Sequence, residues 1–275
     1  MGAVELAVAD LPRSISYYEQ AVGLQVQQRG FDEARLGAGG AELLRLVERP
    51  GAKPARGFSG LYHFALLLPQ RADLARWLAH AARERVPIVG LSDHFVSEAI
   101  YLSDPDEHGI EIYWDRPREV WEGQVAKRMT TLPLDVSSLM GELQDPASEP
   151  FEGLPAGTSM GHVHLRVSDI PATLAFYRDA LGFDLTAVVG GQAAFLAAGG
   201  YHHHIGANTW ESAGAGRAPE SSATLLRASV LLPDGQALRA AADSAAAAGY
   251  EPVSVADGVQ IADPSGNPLL LAHAA

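Results

Sequence analysis

Any metal ligands in this chain have to be imidazoles or carboxylates. Its 275 residues include ten histidines, 33 Asp plus Glu and no cysteine. Thiolate nucleophiles, Cys-ligated metals and a disulfide framework are therefore excluded. Three histidines run consecutively in GGYHHHIGANTW (199–210), an arrangement open to a metal cluster, a catalytic base or a merely polar strand. Residue type alone does not decide, because a lone histidine is more often a satisfied polar group than a ligand.

Internal repeats decide more. MGAVELAVADLPRSISYYEQAVGLQV at the start returns as MGHVHLRVSDIPATLAFYRDALGFDL from Met160, an offset of 159 that preserves Met1, Gly2, Val4, Leu6, Val8, Asp10, Pro12, Tyr18, Ala21 and Gly23. Val4, Leu6 and Val8 alternate as a half-buried strand does. Asp10 stands where an N-cap would, ahead of a short helix that ends at Gly23. A looser repeat pairs LYHFALLLPQ (61–70) with LLRASVLLPD (225–234), and YLSDPDEHGIEIY (101–113) with QIADPSGNPLLLA (260–272). Ala-rich helices are predicted between them, over about 71–85 and 235–249.

The chain reads as α+β, with four βαβββ modules at 1–58, 59–118, 158–215 and 222–275. Residues 1–118 form one half, 158–275 the other, and 119–157 breaks the period as a linker. A duplicated fold by itself names no function.

The copies act as internal controls for one another. His162 opens the first strand of module three, where module one has Ala3. His63 opens that of module two, where module four has Arg227. Glu111 on a closing strand faces Leu270 in the comparison, and sliding AGGAELLR (38–45) onto AGGYHHHI (198–205) sets Leu43 against His203. Modules two and three thus carry the metal-capable residues, and modules one and four have none of them at those places. Two histidines and one carboxylate form the facial set that leaves three positions open on non-haem Fe(II), whereas an all-oxygen shell would have suggested Mg or Ca. The expected site lies between modules two and three, across the linker.

At these residues the sequence resembles the vicinal oxygen chelate superfamily, and within it the extradiol catechol-2,3-dioxygenases of the bacillar type. The resemblance spans nearly the whole chain, and DHFVSEAIYLSDPDEHGIEIY (93–113) is its most specific part. It implies His162, His63 and Glu111 as ligands of Fe(II), or of Mn(II) on the same side chains. It implies His203 as acid/base, with His94 and Tyr101 beside the substrate oxygens. The partners implied are a small aromatic diol and O2, with a semialdehyde as product. Glu107 and His108 depart from the Gly or Pro that the family pattern has after D-P-x. The order also departs, since here the His/Glu module precedes the His-first module. Two other readings stay open: a glyoxalase- or epimerase-like metal-dependent lyase or isomerase, and a metal-free ligand-sequestering protein of the bleomycin-resistance kind.

Composition narrows the setting. A net charge of −13 argues against nucleic acid, which needs clustered Lys and Arg. No apolar run approaches the roughly 20 residues of a membrane helix, and no basic-then-apolar leader opens the chain. A cytoplasmic protein is expected, with a homo-oligomer allowed. Strand alternation would turn His203 inward and His202 and His204 away as packing or surface residues. His80, His108 and His273 read as exposed, His164 as either supporting the site or packed. The four tryptophans read as core or interface.

Overall fold

The computed structural model describes residues 1–144 and 150–273; of the linker expected at 119–157, residues 145–149 lie outside the described residues. Module one supplies β1 (Val4–Val8), β2 (Gln25–Arg29), β3 (Glu33–Gly37) and β4 (Glu42–Glu48), followed by the short β5 (Lys53–Pro54). Module two supplies β6 (Gly60–Leu67), β7 (Gly90–Asp93), β8 (Ser97–Ser103) and β9 (Gly109–Asp115), and the segment after it adds β10 (Leu132–Pro133). Module three has β11 (Ser159–Arg166), β12 (Asp184–Val189), β13 (Ala193–Ala197) and β14 (Ile205–Asn208). After β15 (Ser222–Ala223), module four closes with β16 (Leu225–Leu232), β17 (Val253–Val255), β18 (Gly258–Ala262) and β19 (Pro268–His273).

Asp10 and Asp169 cap the two short helices as their sequence positions suggest, accepting from the backbone N–H of Arg13 and Ala172. Gly23 ends the first with φ 92, a left-handed conformation that costs glycine little. The longer helices run Arg71–Glu84 and Gly235–Ala247.

The modules pair across the two halves. One sheet runs β17-β18-β19-β16-β1-β4-β3-β2 and joins modules four and one. The other runs β10-β7-β8-β9-β6-β11-β14-β13-β12 and joins modules two and three. The seams are antiparallel, β1 on β16 and β6 on β11. Each seam removes an exposed strand edge that a lone module would present to solvent.

Packing ties the modules in the other direction. Tyr18 of module one donates to Asp104 of module two at 2.9 Å, and Tyr177 of module three donates to Asp263 of module four at 3.2 Å. Both tyrosines are fully buried, in one core with Phe64, Trp77 and Phe176. Full burial of such side chains contributes about 1.5–3 kcal/mol each, so sequence neighbours are held by core and sheet partners by hydrogen bonds. No helix among the described residues is long and apolar enough to cross a membrane.

Candidate metal centre and cavity

Strand register, not sequence proximity, assembles the centre. Tyr101 on β8 pairs with Glu111 on β9, Glu111 with Ala65 on β6, and Ala65 with His162 on β11. Residues on one rung project to one face, so these four side chains share a face. Ala65 is small and fully buried, which leaves room between Glu111 and His162. His63 lies two residues from Ala65 on the same face and pairs with His164 across the seam.

The three metal-capable side chains converge there. The ligand atoms of His63, Glu111 and His162 all lie within 4.8 Å of one another. Nε2 of His63 is 3.0 Å and Nε2 of His162 is 3.1 Å from Oε2 of Glu111. The His63 Nε2 is buried, yet its geometry gives it no hydrogen-bond partner among the described residues. Three ligand atoms crowding one point, with the His63 nitrogen unpartnered, fit a cation at that point, and the set suits a borderline divalent metal better than Ca or Mg.

Protonation states agree. Burial alone would raise the carboxyl of Glu111, but the contacts with His162 and then His63 outweigh it and hold Glu111 well below the usual range. Burial keeps His162 below its ordinary value, against the pull of Glu111. An ionised carboxylate and neutral imidazoles are the forms that bind metal.

Above the cluster opens a cavity of about 450 Å³. Its wall carries His203, buried with its ring tilted 4.1 Å from that of His162, as well as His94, Tyr101 and His164. Nδ1 of His94 is 2.7 Å from the carbonyl oxygen of Thr130, and its Nε2 is 2.7 Å from the Tyr101 hydroxyl. A carbonyl only accepts, so Nδ1 carries the proton and the Tyr101 hydroxyl donates to Nε2. Burial first, and then the charge of Glu111, push the Tyr101 phenol well above its ordinary value, so it stays a donor.

Two glycines set close approaches. A Cβ on Gly109 would lie 2.1 Å from the Tyr62 carbonyl, and one on Gly206 would lie 2.8 Å from the His164 ring. Any larger residue at either place would push β9 off β6 or His164 out of the cavity wall.

The other sheet has no such centre among the described residues. On the rung that matches His63, His164 and Gly206, it carries Arg227, Glu5 and Arg45. Glu5 accepts from Arg227 at 3.0 Å and from Arg45 at 3.4 Å, so ion pairing occupies the duplicate position.

The family model for the Glyoxalase/Bleomycin resistance protein/Dioxygenase superfamily matches residues 1–112 and 159–271. The chain belongs to that superfamily. Among its members, the catechol-2,3-dioxygenase of Bacillus subtilis (strain 168) is 41% identical over 272 residues, spanning 96% of this chain and 93% of the relative. The chain is an enzyme of the superfamily that resembles catechol-2,3-dioxygenase over nearly its full length. Glyoxalase I from Zea mays superposes at a TM-score of 0.59 with 17% identity, covering 98% of this chain and 91% of that one. A Bacillus subtilis protein assigned to the dioxygenases reaches 0.68 with 14% identity, covering 99% and 85%. At such identities the two structures bear on the superfamily fold alone.

Several expectations need correction. Residues 201–204 are not strand, since β14 begins at Ile205. His202 therefore does not alternate away from His203: it is fully buried, 2.8 Å from Asp115 through Nε2 and 2.8 Å from Nδ1 of His203 through Nδ1. The register pairs Leu44 with Val4 as it pairs Ile205 with Val163. The loop of module three is thus one residue longer, and counting back from the strand sets Glu42, not Leu43, level with His203. His108 is buried, with Nε2 3.0 Å from the Ala7 carbonyl. His80 is half-buried, stacked on Phe151, while His273 is exposed as expected.

Trp210 is half-exposed and lines the cavity beside Tyr62 and Phe195 rather than sitting in core. Met129, Thr130 and Thr131, from the segment between β9 and β11, also line the cavity. No spacing in the sequence marks these residues, because each enters the cavity from a different element.

Proposed function

We propose that the enzyme is an extradiol ring-cleaving dioxygenase, adding both atoms of O2 to a catechol-type diol to give a ring-opened semialdehyde. The observation that carries this reading is the His63–Glu111–His162 cluster at the floor of a cavity whose wall bears His203, His94 and Tyr101. His63, Glu111 and His162 would hold Fe(II), or Mn(II), which when bound would supply Lewis acidity toward the diol and redox chemistry toward O2.

The chain's own groups do the rest. His203 takes the proton of a diol hydroxyl and returns it later, work that suits an imidazole. Tyr101, whose hydroxyl donates to His94 while no diol is bound, turns that proton to a substrate oxygen when the diol enters and fixes its orientation. Tyr62, Phe195 and Trp210 give the ring an aromatic wall and keep water out. We also propose residues 1–118 and 158–275 as the two duplicated halves joined by 119–157, with a cytoplasmic setting for the reaction.

Anaerobic reconstitution with Fe(II), followed by catechol and O2, tests the reading. Oxygen uptake with a yellow ring-opened product supports it. Stoichiometric iron without uptake on any of a panel of substituted catechols would sink it.

A further inference from the structure

The corrected geometry around residues 201–204 carries one step more. Asp115 ends β9 four residues after Glu111. Its Oδ2 accepts from the Tyr201 hydroxyl at 2.7 Å, and its Oδ1 lies 2.8 Å from Nε2 of His202. Tyr201 lies tilted against the His202 ring at 4.0 Å, Trp121 meets that ring edge-on at 5.4 Å, and Thr186 donates to the His202 carbonyl at 2.7 Å. The His202 ring is thereby fixed in place.

Hydrogen-bond logic then propagates. A carboxylate can only accept, so a neutral His202 donates from Nε2 and its Nδ1 is left with a lone pair. Nδ1 of His203, 2.8 Å away, must supply the proton of that contact. The neutral His203 ring then has its lone pair on Nε2, the nitrogen that makes no hydrogen bond among the described residues, on a side chain that lines the cavity. We infer that Asp115 and His202 are positioning residues that hold His203 in the Nδ1–H tautomer, with Nε2 ready to accept a proton from a substrate hydroxyl. This rests on the proposed role of His203 for its catalytic meaning, but not for its structural content. Free histidine side chains in water favour the opposite tautomer, Nε2–H, so the arrangement is distinguishable from the absence of any constraint.

The test is ¹⁵N-imidazole NMR of the Zn(II)-loaded, diamagnetic protein at pH 8, with His203 assigned by the signal lost in His203→Gln. Wild type is expected to show His203 as Nδ1–H and His202 as Nε2–H. A wild-type His203 in the Nε2–H form overturns the inference, whatever the variants do. His202→Phe should return His203 toward Nε2–H, and Asp115→Leu serves the same end if the first variant does not fold. A His203 signal unchanged in both, or shifted equally by the neighbouring His204→Gln, also overturns it. In the Fe(II) enzyme, His202→Phe should lower kcat about ten- to a hundred-fold with KM within about twofold, as loss of a supporting hydrogen bond does. If the tautomers are as stated and no catechol is cleaved, the proposed function fails and the positioning role stands.

Discussion

Glu111 and His162 flank the methyl of Ala65 on a single rung of the larger sheet, with Oε2 of one 3.1 Å from Nε2 of the other. The two residues come from different halves of the chain, 51 positions apart, and only the antiparallel seam of β6 and β11 brings them together. Metal affinity should therefore depend on both.

Glu111→Gln and His63→Ala are each expected to lower bound iron from about one per chain to under about a tenth, because loss of one of three ligands leaves no facial set. Metal should also cease to protect against heat. For wild type, metal at about a hundred times its Kd adds roughly 2.7 kcal/mol to stability, and chelation should remove it. Metal analysis and melting with and without chelator measure both effects. Variants that keep full iron would show that the ligands lie elsewhere.

Tyr101→Phe should leave iron content unchanged and lower kcat/KM for the diol by about ten- to a hundred-fold, the worth of a hydrogen bond to a charged oxygen at about 1.5–3 kcal/mol. His94→Gln should act in the same direction, since His94 accepts from Tyr101 at 2.7 Å. A loss confined to metal content would instead assign Tyr101 to the architecture of the centre.

Trp210→Ala removes a half-exposed ring from the cavity wall. An aromatic contact of about 0.5–1.5 kcal/mol corresponds to a two- to ten-fold rise in KM, with kcat and the melting temperature nearly unchanged. Steady-state kinetics with a ring-unsubstituted and a bulkier catechol would show whether the wall grips the ring itself. Equal KM values in variant and wild type would remove Trp210 from substrate binding.

Acid should destabilise the metal-free protein between about pH 6.5 and 4. Burial first, and then the N-terminal amine and His202, push the imidazole of His204 from 6.5 down to about 4. Its neutral Nδ1 accepts from the backbone N–H of Ala198 at 3.2 Å. A folded pKa below the unfolded one means that this contribution is complete above pH 6.5 and lost as pH falls through about 4. Melting temperatures at pH 7.5, 6.0 and 4.5 should fall steadily, and His204→Gln should flatten part of that slope. A variant as steep as wild type would place the acid sensitivity in other groups.

Sequence reading reached far into this protein because duplication left a control beside each position. The caps at Asp10 and Asp169 and the turns after Asp104 and Asp263 follow from local physics, and the structure keeps them. The alternation at Val4, Leu6 and Val8 instead gives way to burial of Ala7 as well, because β1 lies inside the sheet. Contrast between copies singled out His63, Glu111 and His162 against Arg227, Leu270 and Ala3, three side chains that the structure brings within 4.8 Å. Tertiary structure decided the rest. Whether His202 faces away from its neighbour or bonds to it depends on where β14 begins, and an inserted residue in the preceding loop sets that. Trp210, Phe195 and Thr130 meet in one cavity because segments distant in sequence converge there. Local propensity and periodicity report which face a residue shows to its own element. The choice of partner is made by packing between elements, and that information appears only when the chain is folded.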